Sequence, residues 1–302
     1  MTKKYVLFFS IFALILLIGS SIFNLMPSKQ PEEILPQTVP LPEVASPTQT
    51  LPQTISIIGT SVEGRAIERY VFGTGSTTVL FVGGIHGGYE WNSSLLAYEL
   101  IMALENKTMR VPSELTVLII PSINPDGLFS VIGKVGKFTV DQVPPNDAHT
   151  TGKGRFNAHN VDLNRNFACK WQPESSWRSK KVSAGTAPFS EPEATALRDF
   201  ILKEKPAAVI FWHSQANTVY ASECFDGVLP LTSTLMNAYA QAAKYNAVES
   251  FDAYPITGDA EGWLATLGIP AITVELETRT ESEWVRNRLG IEAIFTSLIS
   301  SN

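Results

Sequence analysis

Cysteine occurs only twice in the 302 residues, too few for a disulfide-built scaffold or a four-cysteine zinc module. Histidine is almost as rare, with four copies. Charge is thin as well: 17% of residues are Asp, Glu, Lys or Arg, against about a quarter in ordinary soluble domains. Positive charge is the scarcer sign, with 23 Lys and Arg against 29 Asp and Glu and a net charge of −6. That balance excludes a nucleic-acid binder that relies on bulk positive charge. It implies no basic partner either, since solubility alone accounts for it. Aromatic residues are not lacking: 16 Phe, 8 Tyr and 6 Trp exclude a chain that is disordered throughout. Mean hydropathy is +0.07, high for a soluble enzyme, so the position of the apolar residues matters.

Many of them stand at the front. After Lys3 and Lys4 the segment Tyr5 to Met26 carries no charge, and it matches the roughly 20 residues a bilayer-spanning helix needs. A cleaved signal peptide has a shorter apolar core followed by a small-residue cleavage site, which Gly19 and Ser21 supply only in mediocre form. Residues 1–26 are expected as an uncleaved signal anchor, with a cleaved signal peptide as the open alternative. In both cases the lysines stay in the cytoplasm and the remainder is exported. Residues 27–53, rich in Pro, Gln, Thr and Glu, read as a semi-extended linker. Residues 54–302 form one domain, without an internal repeat.

Within it, Thr77–Val82, Leu115–Pro121, Ala207–Trp212 and Ala271–Leu276 are short apolar runs that read as buried strands. Helical spacing falls on Ser93–Leu104, Leu231–Tyr245 and Glu283–Ser300, and Ser190 to Glu193 resembles a capping box that opens a helix to about Lys203. Asn124-Pro-Asp-Gly127 reads as a turn. Continuous apolar strands alternating with helices predict a three-layer α/β/α sandwich on a mixed, mostly parallel sheet. Ligands of such sheets bind beyond the carboxyl ends of the strands, where His86, His213 and Glu275 fall.

His86 lies in Gly83-Gly-Ile-His-Gly-Gly-Tyr-Glu90, where glycines permit unusual dihedrals and close backbone approach. A histidine in a loop is usually polar surface, and one ending an apolar strand, as His213 does, is usually a satisfied core residue. Two histidines and a carboxylate with one open position, however, make a catalytic zinc site. Gly154 to Phe167 concentrates Arg and Asn side chains, fit either for a solvated loop or for gripping an anion with an arginine fork.

Taken in order, His86…Glu90, Asn124-Pro-Asp-Gly127, Asp162-Leu-Asn-Arg-Asn166, His213-Ser214 and Glu275-Leu276 resemble the zinc metallocarboxypeptidases, the carboxypeptidase A-like peptidases. The likeness runs from about Ile58 to Leu276, and its most specific part is VDLNRNF. The resemblance implies one Zn²⁺ per chain on His86, Glu90 and His213, Glu275 as general base and Arg155 as stabiliser of the developing oxyanion. It also implies Asn164 and Arg165 as grips for a terminal carboxylate and Tyr254 as a tyrosine that closes over substrate. Glu261, with Asp259 as a nearby alternative, would favour a basic or diaminopimelate-type side chain. The family reads His-x-x-Glu, whereas three residues separate His86 from Glu90 here; Glu99 is the fallback carboxylate and is expected to face outward. Cys169 and Cys224, both exported, are candidates for a disulfide or for two small buried residues. The implied activity is an extracytoplasmic metallocarboxypeptidase, acting as a monomer and tethered to the membrane. The alternatives are an amidase of cell-wall γ-D-glutamyl-diaminopimelate peptides and a non-catalytic binding module.

Overall fold

The computed structural model describes residues 54–145, 152–252 and 254–300. The segments 1–26 and 27–53, with His149, lie outside them. Among the described residues no helix is long and apolar enough to cross a membrane.

The apolar runs form the expected strands. In chain order the large sheet contains β1 (Thr54–Thr60), β2 (Ala66–Gly73), β3 (Thr77–Val82), β4 (Leu115–Ile120), β7 (Ala208–Ser214), β8 (Thr218–Ala221), β9 (Asn246–Val248) and β10 (Ala271–Leu276). A separate hairpin pairs β5 (Glu174–Trp177) with β6 (Lys180–Ser183). The eight-stranded order is β1-β2-β4-β3-β7-β10-β8-β9. Its centre, β4-β3-β7-β10, is parallel, with antiparallel pairs at β1-β2, β2-β4 and β10-β8.

Both faces of the central strands are buried, as continuous apolar runs require. Along β3, Val79 and Phe81 point into one core and Leu80 and Val82 into the other, the two-residue alternation of a strand. The first core is closed by α1 (Trp91–Glu105), α4 (Pro230–Ala243) and α6 (Trp284–Ser300), through Leu96, Ile101, Leu235, Tyr239 and Ile294. The second is closed by α3 (Pro192–Glu204) and α5 (Ala260–Thr266), through Leu197, Ile201 and Leu264. This is the expected α/β/α sandwich.

Two local expectations fail. Asn124-Pro-Asp-Gly127 is no isolated turn but the start of α2 (Pro125–Ile132). The Asn124 side chain accepts from Gly127 N at 2.8 Å, and Pro125 costs nothing in a first turn whose amides are unpaired anyway. The capping box at Ser190 is not formed either. Glu191 occupies the cap of α3 without a side-chain cap bond, because Ser190 Oγ donates to Glu191 Oε1 and accepts from Asn166 Nδ2.

Cys169 and Cys224 are joined in a disulfide across 55 residues of sequence. It ties the loop after Asn166 to the region just beyond β8. Chain-entropy reasoning for a loop of that size gives about 4 kcal/mol of stabilisation. A Cys169→Ser/Cys224→Ser double variant is therefore expected to melt roughly 10 °C lower by calorimetry. An unchanged melting temperature would show that the bond constrains nothing the fold does not already hold.

Candidate active site

The parallel centre of the sheet aims its carboxyl ends at one cleft of about 840 Å³, lined by residues from β7, β10 and the loops above them. His213 leaves β7 and Glu275 leaves β10 at matched register positions, so the two stand side by side. His86 and Glu90 arrive from the loop after β3. Gly87, at φ +47°, would place a Cβ 2.5 Å from Gly154 O, and one on Gly88 would meet Val131 at 2.5 Å. Only glycines allow this loop to press against α2 and the 154 region. Residues 87–90 then wind as one 3-10 turn into α1. His86 and Glu90 nevertheless converge across the additional residue between them.

The result is convergence. One ligand atom from each of His86, Glu90 and His213 lies within 4.8 Å of the other two, and all three residues are buried. Glu99, the fallback carboxylate, is half-buried on α1 beside Ser282 rather than facing outward, and it stands apart from this cluster.

The electrostatics suit a cation. Burial, helped by the charge of Arg155, pushes His86 well below its ordinary value and leaves it neutral. Its Nδ1 is buried without a hydrogen-bond partner, 3.5 Å from Asp162 Oδ1. Burial alone would raise the Glu90 carboxyl, but His86, His213 and Arg155 outweigh it and hold the group at about 2. Burial also works against a charge on His213, yet Glu261 and Glu90 push it well above the usual value. Its Nδ1 lies 3.2 Å from Glu90 Oε2 and its Nε2 3.0 Å from Glu261 Oε1. Two imidazoles and a carboxylate, with an orphaned ring nitrogen among them, form the donor set that fits zinc.

Around the cluster stand the remaining candidates. Burial and the nearby Glu90 raise the Glu275 carboxyl to about 7. Arg155 is buried, donates to Asp162 Oδ2 through Nε at 3.1 Å and Nη2 at 2.8 Å, and turns Nη1 toward Glu90 Oε1 at 3.7 Å. Its guanidinium lies 4.6 Å from the centre of the Trp177 ring. The Gly154–Phe167 segment is thus no solvated loop, because Arg155, Asn157, Asp162, Asn164, Arg165 and Asn166 are all buried.

Arg165 lines the cleft and bonds the carbonyls of Asn164 and Ser176, while Asn164 Oδ1 accepts from Ala260 N at 2.8 Å. Gly258, at φ +73°, secures that wall. It accepts from Phe167 N and donates to Cys169 O, and a Cβ there would stand 2.1 Å from Arg165 O. Tyr254 lines the cleft with its ring 4.9 Å from Phe251. Asp259 caps α5 through Gly262 N and is held at about 6 by burial and Glu261. Glu261 is buried on the cleft wall, with Oε1 bonded to His213 and its second oxygen, Oε2, without a hydrogen-bond partner.

A family model for zinc carboxypeptidases, peptidase M14, matches residues 46–293. The chain belongs to this family. His86, Glu90 and His213 are the residues that could hold the metal. Among curated relatives, a γ-D-glutamyl-L-diamino acid endopeptidase of Lysinibacillus sphaericus is 25% identical over 74% of this chain and 60% of its own length. A murein peptide amidase A of Escherichia coli K12 is 31% identical over 43% of this chain and 54% of its own. The chain therefore spans a little over half the length of either relative.

Solved structures show the same fold at lower identity. A murein-tripeptide amidase of Escherichia coli O157 superposes with a TM-score of 0.58 at 23% identity, covering 83% of this chain and 93% of that one. Bovine thrombin-activatable fibrinolysis inhibitor superposes with 0.63 at 21%, over 82% and 89%.

Several residues in and behind the cleft were not legible from sequence. Asn92 is wholly buried and joins the carbonyls of Thr278 and Glu281 to Ser214 Oγ. Arg279 lines the cleft, holds Ser214 O and lies 4.4 Å from the centre of the Tyr89 ring. Both follow or precede a recognised motif by a few residues, and neither has a signal of its own. Asp162 stood inside the most specific motif, and only its position shows that it serves both Arg155 and His86.

Proposed function

We propose that the protein hydrolyses cell-wall peptides at the bond between γ-D-glutamate and a diamino acid such as diaminopimelate. The observation that carries this reading is Glu261. Its Oε2 is buried on the cleft wall without a protein donor, and His213 keeps the carboxylate ionised against the effect of burial. A buried anionic oxygen lacking a donor selects an ammonium group, which a diamino acid carries beside its α-carboxylate. The names of the curated relatives support the same substrate class.

Zinc held by His86, Glu90 and His213 would supply a Lewis acid for the scissile carbonyl and acidify the attacking water. Glu275 takes the proton from that water and returns it to the leaving amine. Arg155, fixed by Asp162, offers its remaining guanidinium edge to the carbonyl oxygen as charge develops there. Arg165 has no carboxylate partner among the described residues and is placed to take the terminal carboxylate of the leaving residue, beside Asn164. Tyr254 covers the bound substrate from the rim. All these groups belong to one chain, so a monomer suffices.

The reaction takes place outside the cytoplasm, with residues 1–26 as the anchor. The charge-free Tyr5–Met26 segment behind Lys3 and Lys4 supports this placement, as does the Cys169–Cys224 bond, which suits an oxidising compartment.

Digestion of mixed muropeptides and ordinary peptides, followed by mass spectrometry, tests the reading. Fragments ending at γ-D-glutamate, with release of the diamino acid, are expected. Glu261→Gln should reduce kcat/KM for diamino-acid substrates about 10–100-fold more than for analogues lacking the side-chain amine, with zinc content unchanged. If only neutral C-terminal residues of ordinary peptides are released, the protein is a carboxypeptidase without cell-wall specificity.

A further inference from the structure

We propose that Arg279 reads a free carboxylate on the acyl side of the scissile bond, the α-carboxylate that a γ-linked glutamyl residue leaves unblocked. The inference rests on the cell-wall substrate proposed above. An α-linked residue spends its α-carboxyl in the peptide bond itself. A γ-linked one presents an anion only a few bonds from the scissile carbonyl, and a site for such a substrate needs a cation there.

Arg279 fits that requirement in three respects. It is not a loose surface arginine. Its guanidinium lies 4.4 Å from the centre of the buried Tyr89 ring, and Nε and Nη2 reach Ser214 O at 3.4 and 3.3 Å. The loop that carries it is fastened by Asn92, whose Nδ2 donates to Thr278 O at 2.8 Å and Glu281 O at 3.0 Å. Asn92 Oδ1 in turn accepts from Ser214 Oγ at 3.0 Å.

It stands next to the chemistry. Ser214 follows His213 directly, and its backbone N donates to Glu90 Oε2 at 3.1 Å. Arg279 lies four residues beyond Glu275 and is the guanidinium whose positive charge reaches that carboxylate.

It also forms no ion pair among the described residues, although Glu275 lies within reach of its charge. Of the two buried arginines of the cleft, Arg155 is bound to Asp162 and Arg165 is held by backbone carbonyls in the wall that Gly258 secures. Bracing one carbonyl uses Nε and Nη2 and leaves Nη1 and the full charge at the cleft. A guanidinium fork is the group best matched to a carboxylate. Arg165 and Arg279 together match one carboxylate of the leaving diamino acid and the free α-carboxylate of the acyl residue.

The test uses the full-length, zinc-loaded protein and two substrates: γ-D-glutamyl-diaminopimelate with its glutamyl α-carboxylate free, and the same compound with that carboxylate amidated. The wild type is expected to prefer the free acid by at least about tenfold in kcat/KM, mainly through KM. In Arg279→Gln that ratio should collapse to within about twofold, and Arg279→Lys, which keeps the charge, should retain part of it. Zinc content of both variants should match the wild type. Equal rates on the two substrates in the wild type would overturn the proposal. So would an Arg279→Gln variant that slows both by the same factor, as a mere brace for Ser214 would. A wild type that cleaves neither compound but trims α-linked peptides overturns the cell-wall reading itself, a pattern that needs no variant to recognise.

Discussion

Glu275→Gln is expected to lower turnover by about 10²–10⁴-fold while leaving one zinc per chain, measured as kcat beside metal content after dialysis. The separation follows from position. Glu275 is not one of the three residues that converge as a metal site, yet it stands beside His213 in the register of β10 and β7. Its carboxylate has no hydrogen-bond donor among the described residues, so the amide breaks no internal bond and changes little in size. What it loses is the ability to accept a proton. A variant that cleaves at the wild-type rate would move the general base elsewhere in the cleft.

The acid limb follows from the same group. In the metal-free protein, burial and Glu90 raise Glu275 to about 7, and a cation in the cluster draws it lower. The base works ionised, so kcat/KM falls as pH drops through its value, and this limb disappears from the residual activity of Glu275→Gln. Stability runs the other way. A carboxyl raised from 4.5 to about 7 in the folded state favours the fold at acid pH, and that contribution is lost as pH rises through 7. Without metal, Glu275→Gln is therefore expected to melt higher than the wild type at alkaline pH and similarly at acid pH.

The sheet was legible because its central strands are buried on both faces and stand out as unbroken apolar runs; Thr77–Val82 and Ala271–Leu276 match to the residue. The zinc residues were legible from motif order, although only the fold shows that His86 and Glu90 still converge across their irregular spacing, with residues 87–90 wound as a 3-10 turn. What failed was local chemistry redirected by distant partners. Ser190 would cap α3 on its own, but Asn166, 24 residues away, occupies its hydroxyl. Glu261 does line the cleft, but its bond to His213, 48 residues away, has no local signal. Arg279 carries no motif because its role depends on Tyr89 and Ser214, which reach it through the fold alone.

Asp162→Asn is the second large effect, expected to cost about 10–100-fold in zinc affinity or turnover. Asp162 is wholly buried and holds two groups at once. Oδ2 accepts two hydrogen bonds from Arg155, and Oδ1 faces His86 Nδ1 at 3.5 Å and accepts from Asn164 N at 3.2 Å. Asparagine keeps the shape but removes the charge. It also turns one acceptor into an NH₂, which would meet either the Arg155 donors or the Asn164 amide. Arg155 would then be a buried cation with only Glu90 near it, at 3.7 Å. Breaking one side of a buried pair commonly costs about 3–5 kcal/mol, so Asp162→Ala should threaten the fold itself while Asp162→Asn leaves it measurable. Two readouts separate the consequences. Zinc titration reports on His86, and the slope of log kcat/KM against substrate carbonyl reactivity reports on Arg155. If Asp162→Asn binds zinc and turns over as the wild type does, Arg155 and His86 are held in place by their surroundings and not by Asp162.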